Sequence, residues 1–205
     1  MIILNQSKNK EEKFDLVGIV DRILRDKDGN IIEEYKGENL IVDAGKNRMI
    51  RNIYDGTGIK LVGCIIGRDM NSPTNVSITN TEGWIPQDPR PEDTLSTIIG
   101  DGKTNPRQQA FNKIEFLDKE GNVLGTITDT QNTMNNSSWS NVHSIRYYVL
   151  FKSSEVNMIT NCVGMVMSND PKTSENLFSK HTFPWMYLMA DRGYSLEIIW
   201  TYRIK

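Results

Sequence analysis

One five-residue signature occurs twice in this chain, each time between apolar stretches: Asp26-Lys27-Asp28-Gly29-Asn30 and Asp118-Lys119-Glu120-Gly121-Asn122. Asp and Asn bond to their own backbone, and Gly adopts the left-handed conformations of a tight reversal, so each pentad predicts a β-hairpin. The flanks agree. Phe14 to Leu24, and the stretch from Ile31-Ile32 through Tyr35 to Leu40-Ile41-Val42, surround the first; Ala110 to Leu117 and Val123 to Asp129 surround the second. The flanks do not otherwise align, so this is one turn chemistry used twice and not a repeat architecture.

Further strands are expected at Lys60 to Gly67, Ser144 to Lys152, Met158 to Met167, Leu177 to Phe183 and Tyr194 to Ile204. The last alternates, with Leu196, Ile198, Trp200 and Tyr202 on one side. A single helix is predicted after Asp43, where Met49, Ile50, Ile53 and Tyr54 recur at three- and four-residue spacing and Asp43 can cap the exposed amides. Parallel α/β folds need several amphipathic crossover helices, which this sequence lacks. The fold class read from the sequence is therefore mainly β: an antiparallel β-sandwich with one short covering helix and long irregular loops.

Residues 1–13 are expected to form a polar arm, because 5–13 carry charge and almost nothing to bury; residues 14–205 form a single sandwich domain. Within it, residues 68–107 show little periodicity and hold Pro73, Pro86, Pro89, Pro91 and Pro106. They read as a long Pro-rich loop or insert, of the kind that serves function or is ordered by a partner.

A net charge of −2 gives no general attraction to nucleic acid or anionic lipid. No apolar run approaches the roughly 20 residues that span a bilayer, and Met1-Ile2-Ile3-Leu4 turns polar at once, without the core of a signal peptide. The expectation is a soluble protein with no nucleic-acid or membrane partner. Cys64 and Cys162 sit in apolar company outside any C-x-x-C pair and read as buried thiols.

Signatures of chemistry fail on inspection. Gly102-Lys103-Thr104 resembles the end of a phosphate loop, but Thr97 stands where the first Gly is required and Asn105-Pro106 follows where a helix should begin. Asp26-x-Asp28-x-Asn30 resembles a calcium loop, yet Ile31 takes the obligatory Gly position and Gly37 that of the bidentate Glu. Gly56-x-Gly58 reads as a helix stop. His143 and His181 lie in no hydrolase or metalloprotease signature. No catalytic residue, cofactor or metal ligand is expected, and a hydrolase would require two carboxylates to converge in a cleft.

The aromatics point towards contacts. Trp84, with Pro86 and Pro89 in the Pro-rich span, Trp139 in a Ser/Asn-rich stretch, and Trp185-Met186-Tyr187 within the apolar run Phe183 to Met189 are the candidate interface residues, because Trp, Tyr and Met are enriched where proteins meet. Aromatic platforms also hold sugar faces, so a host glycan at Trp84 or Trp139 is the alternative partner.

The order of several segments resembles structural proteins of the tail, baseplate and fibre-attachment region of tailed bacteriophages. The segments are Asn39-Leu40-Ile41-Val42-Asp43-Ala44-Gly45 before the helix, Leu61-Val62-Gly63-Cys64-Ile65-Ile66-Gly67, Asp93-Thr94-Leu95, and Leu177-Phe178-Ser179-Lys180-His181-Thr182-Phe183-Pro184 before Tyr194-Ser195-Leu196-Glu197-Ile198-Ile199-Trp200. The chain departs by carrying 25 residues between Gly67 and Asp93 and by Cys162-Val163-Gly164-Met165 in place of an Ile-x-Glu-x-Gly-Leu. The resemblance implies a non-enzymatic virion component, assembled in the host cytoplasm, whose partners are other copies of itself and other virion proteins. In that reading the arm and the 68–107 span clasp neighbouring chains.

Overall fold

The structure, a computed structural model, describes residues 16–55, 60–72, 87–167 and 176–204. The expected arm at 1–13, and Trp84 and Pro86, lie outside the described residues.

Two antiparallel sheets pack face to face. The strands are β1 (Leu16–Arg25), β2 (Ile31–Glu38), β3 (Leu40–Ile41), β4 (Gly63–Asp69), β5 (Ile98–Ile99), β6 (Arg107–Ala110), β7 (Lys113–Leu117), β8 (Val123–Thr128), β9 (Ser144–Lys152), β10 (Met158–Val166), β11 (Leu177–Leu188) and β12 (Ser195–Ile204), with helix α1 (Asp43–Asp55) between β3 and β4. The first sheet runs β2-β1-β12-β9-β7-β8 and the second β3-β11-β10-β4-β5, with β6 also on β4. The mainly β, antiparallel sandwich expected from the sequence is the observed fold.

Both pentads close hairpins by the same geometry. The Asp26 carboxylate accepts from the Asp28 and Asn30 backbone amides at 2.9 Å and from Asn30 Nδ2 at 3.0 Å. Asp118 accepts from the Asn122 amide at 2.8 Å and its Nδ2 at 2.9 Å. Gly29 and Gly121 sit at φ 86° and 90°, which a Cβ would oppose.

The core between the sheets joins Val20 and Leu24 of β1 and the alternating Leu196, Ile198, Trp200 and Tyr202 of β12 to Cys64 and Ile66 of β4, Val163 and Met165 of β10, and Phe183 and Leu188 of β11. Where the chain passes from β2 to β3, Asn39 ties the sheets together. In the amide orientation that matches donors to acceptors it donates to Gly18 O at 2.7 Å and accepts from Ser179 Oγ and Trp200 Nε1, both at 3.1 Å.

The second sheet is buried on its outer face as well. There Val42, Ile65, Cys162, Val166 and Leu177 pack with Leu95 and Ile98 of the Pro-rich span. Strands covered on both sides read as continuous apolar runs, which is how β4 and β10 read in the sequence. The cover fits closely: a Cβ on Gly164 would lie 2.5 Å from Leu177 Cδ1 and 2.6 Å from Ile98 Cδ1.

Of the expected loop at 68–107, residues 73–86 lie outside the described residues, and the rest is irregular apart from short pairings. β4 continues to Asp69, residues 95–97 form a 3-10 turn, β5 pairs with Arg68–Asp69, and residues 107–110 pair as β6. The described part of the span is thus fixed by its own chain. Its few buried residues are spaced among polar ones and prolines, so periodicity could not reveal them. Helix α1 also differs in detail: Val42 O accepts the Lys46 amide at 3.0 Å, so Asp43 is the first helical residue, and its own amide donates to Pro91 O at 2.8 Å. The Asp43 carboxylate pairs with Lys46 at 3.2 Å.

Candidate functional site

Two carboxylates converge, beneath the cover and not in a cleft. Lys180, on the outer face of β11, is fully buried. Its ammonium donates to Asp69 Oδ1 at 2.7 Å, Asp93 Oδ2 at 3.0 Å and Thr97 Oγ1 at 3.1 Å. An ammonium has three protons, and all three are used. The carboxylates are satisfied in turn: Ser72 Oγ donates to Asp69 at 3.1 Å, and the Arg90 amide and Asn71 Nδ2 donate to Asp93 at 3.0 and 3.3 Å. Asn161 closes the network, accepting the Asp69 amide at 2.6 Å and donating to Ser72 Oγ at 2.9 Å. A lysine sealed from water with every proton committed is neither nucleophile nor base. The cluster pins β4, the covering span and β11 together.

A second buried cation lies between the sheets near the β2 edge. Arg22 of β1 pairs with Glu33 of β2, and its guanidinium lies 4.8 Å from the Phe183 ring centroid and 5.5 Å from that of Tyr35. Burial lowers its pKa, and Glu33 opposes the shift. Beside it, His181 Nδ1 meets Glu38 O at 2.8 Å, and a carbonyl can only accept, so the proton sits on Nδ1. Desolvation holds His181 below its ordinary pKa, the Glu38 carbonyl opposes this, and the charge of Arg22 adds to the lowering. Arg22 Nη1 and His181 Nε2 are buried with no hydrogen-bond partner among the described residues.

This cluster backs onto an open edge. Among the described residues β2 bonds to β1 alone and ends the first sheet. Its side chains are exposed along nearly the whole strand, including Ile31 (52%), Ile32 (48%) and Tyr35 (38%). These three are among the exposed apolar residues that sequence reading missed. A signal was present: Ile-Ile-Glu-Glu breaks the alternation of a half-buried strand, as expected where both faces are wet.

The candidate interface residues do not form one patch. Trp139 is half-exposed, in the 3-10 turn Asn136–Asn141 that Asn135 caps by accepting the Ser138 amide at 3.0 Å, with its ring 4.9 Å from Phe116. Pro89 is partly exposed on the cover. Trp185 is half-buried, with the Arg68 guanidinium 5.4 Å from its ring, and Tyr187 is also half-buried. Met186 is a correction: it is buried in the inter-sheet core, because the register of β10 on β11 shifts between Thr160 and Cys162 and turns it inward.

The remaining groups with chemical potential are committed elsewhere. Cys64 and Cys162 are fully buried, and burial raises both thiol pKa values, so neither is poised as a thiolate. In the stretch that resembles a phosphate loop, Asp101 Oδ1 accepts the Lys103 and Thr104 amides at 2.9 and 2.7 Å, so a carboxylate occupies the place of a bound anion. Among the described residues no group of three or more His, Cys, Asp or Glu could hold a metal ion. Compared with protein-family models, curated proteins and solved structures, the chain matches none.

Proposed function

We propose that this protein is a non-enzymatic structural component of a tailed-phage virion, present in repeated copies in the tail, neck or baseplate region. The observation that carries the reading is the pairing of an internally pinned sandwich with an edge strand that no described residue pairs with on its outer side. Lys180, Asp69 and Asp93 are spent on locking the cover, while Ile31, Ile32 and Tyr35 stand in water on a strand that can accept another. The segment order that resembles tail and baseplate proteins points the same way. Mass spectrometry of purified tailed particles tests it: several copies per particle are expected, and confinement of the chain to the particle-free fraction of the lysate overturns it.

Recognition of a host glycan is the second reading, favoured by the half-exposed indole of Trp139 among Asn and Ser side chains. Binding on a glycan array that is lost with Trp139→Ala, in a chain that still folds, supports it; an array without signal removes it.

A further inference from the structure

We propose that β2 pairs antiparallel with β2 of a second copy about a twofold axis at Tyr35, fusing two six-stranded sheets into one. The inference rests on the reading of the chain as a self-associating component and names the contact. The Asn39 amide donates to Gly18 O at 3.2 Å, extending the register in which Glu38 faces Ile19. Hydrogen-bonding direction alternates along a strand, so odd-numbered residues of Glu33–Glu38 bond to β1 and Glu34 and Lys36 direct their N–H and C=O outward. No described residue bonds to those four groups.

Only registers that oppose even residues to even residues use these groups. An axis at Glu34 sets Glu34 against itself, and an axis at Lys36 sets Lys36 against itself and Glu34 against Glu38. An axis at Tyr35 sets Glu34 opposite Lys36 on both sides. Opposite charges across a strand pair stabilise and like charges destabilise, and an axis at Gly37, which would set Lys36 opposite Glu38, needs the Glu38 carbonyl that His181 holds, so the third register is selected. Tyr35 then meets its copy in the non-hydrogen-bonded position, where side chains approach most closely, and the two rings extend the stack over Arg22. The pairing is short, because the β1–β2 register shifts at Leu24/Arg25 and the Glu38 carbonyl is taken by His181. A reversible dimer follows. Charges that blunt an edge against foreign strands are here complementary to themselves.

Cysteine cross-linking of the full chain tests the register. The Cα atoms of a non-hydrogen-bonded pair lie about 4.5 Å apart, within disulfide reach, whereas diagonal neighbours lie about 7–8 Å apart, beyond it. Under mild oxidation Tyr35→Cys therefore gives a covalent dimer on a non-reducing gel and Glu34→Cys does not, with the buried native cysteines silent. In sedimentation equilibrium Lys36→Glu weakens the dimer about tenfold or more, and the charge swap Glu34→Lys/Lys36→Glu restores it. Equal cross-linking of both cysteine variants, or a single charge reversal without effect, overturns the register. A Tyr35→Cys chain that stays monomeric yet co-purifies with tailed particles refutes the strand pairing and leaves the virion reading standing; a covalent dimer absent from particles does the opposite.

Discussion

Lys180 and Arg22 are both basic, both on central strands and both almost wholly withdrawn from water, with side-chain exposures of 0% and 2%. Their surroundings differ in completeness. Lys180 is closed over by two carboxylates, each held by further donors or by the network around it, and by a hydroxyl that donates to Thr94 O at 2.7 Å, so removing the ammonium strands two buried charges. Arg22 has one carboxylate partner, Glu33, which is 49% exposed, two aromatic faces and an unused nitrogen. The first is the interior fastening of a cover; the second is polar packing left unfinished beside an open strand. Burial alone therefore does not rank two charges: what counts is whether the partner left behind can reach water.

The largest effect is expected at Lys180. Lys180→Met leaves Asp69 and Asp93 facing each other without a cation and costs about 3–5 kcal/mol in urea denaturation. Adding Asp69→Asn and Asp93→Asn recovers most of that, because the charges needing the ammonium are gone. Limited proteolysis within 87–107 accelerates in the single variant and not in the triple one. Arg22→Met is expected to cost about 1 kcal/mol, since Glu33 can hydrate and the methionine keeps contact with the rings of Phe183 and Tyr35. A loss at Arg22 equal to that at Lys180 would erase the distinction between the two cations.

The parts legible in the sequence are those whose cause is local. The two hairpins follow from side chains bonding within five residues, and β12 follows from period-two alternation. The Lys180 cluster was not legible, because its ion pairs span 111 and 87 residues and no local pattern marks them. Met186 misled for a related reason: in an apolar run the inward face depends on register, and the shift opposite Asn161 is set by the neighbouring strand. The cover was missed because Asp93, Leu95 and Ile98 make sense only against an outer face of the second sheet that the sequence does not announce.

The next effect separates the two clusters by pH. Folding holds the pKa of His181 below 6.5, so as pH falls through that value the unfolded chain takes up a proton that the folded chain refuses. The unfolded state then binds more protons, and stability declines on acidification from neutral pH, levelling off below the folded-state pKa. The groups facing His181, namely Arg22, the Glu38 carbonyl and the rings of Tyr35 and Phe183, offer its protonated form no carboxylate within hydrogen-bonding distance. Denaturation midpoints between pH 5 and pH 7.5 should slope in this direction for the native chain and flatten for His181→Gln. A slope that survives the substitution assigns the acid sensitivity to another group.

The smallest effect tests whether hydrogen bonding to a carboxylate, apart from burial, explains the difference between the cations. Asp26 accepts as many side-chain and amide bonds as many buried carboxylates do, yet it stands at the surface, as Asp118 does in the matching turn. Bonds to Asn30 and Asn122 hold these carboxyls below their ordinary pKa of 3.8, so what they contribute is present at neutral pH and fades only as pH falls below that value. Asp26→Ala and Asp118→Ala should each lower the denaturation midpoint slightly and by similar amounts, because water replaces the lost partners in both turns. Unequal losses would mean that one hairpin leans on something beyond its turn, and for Asp26 that would be the β2 edge it launches.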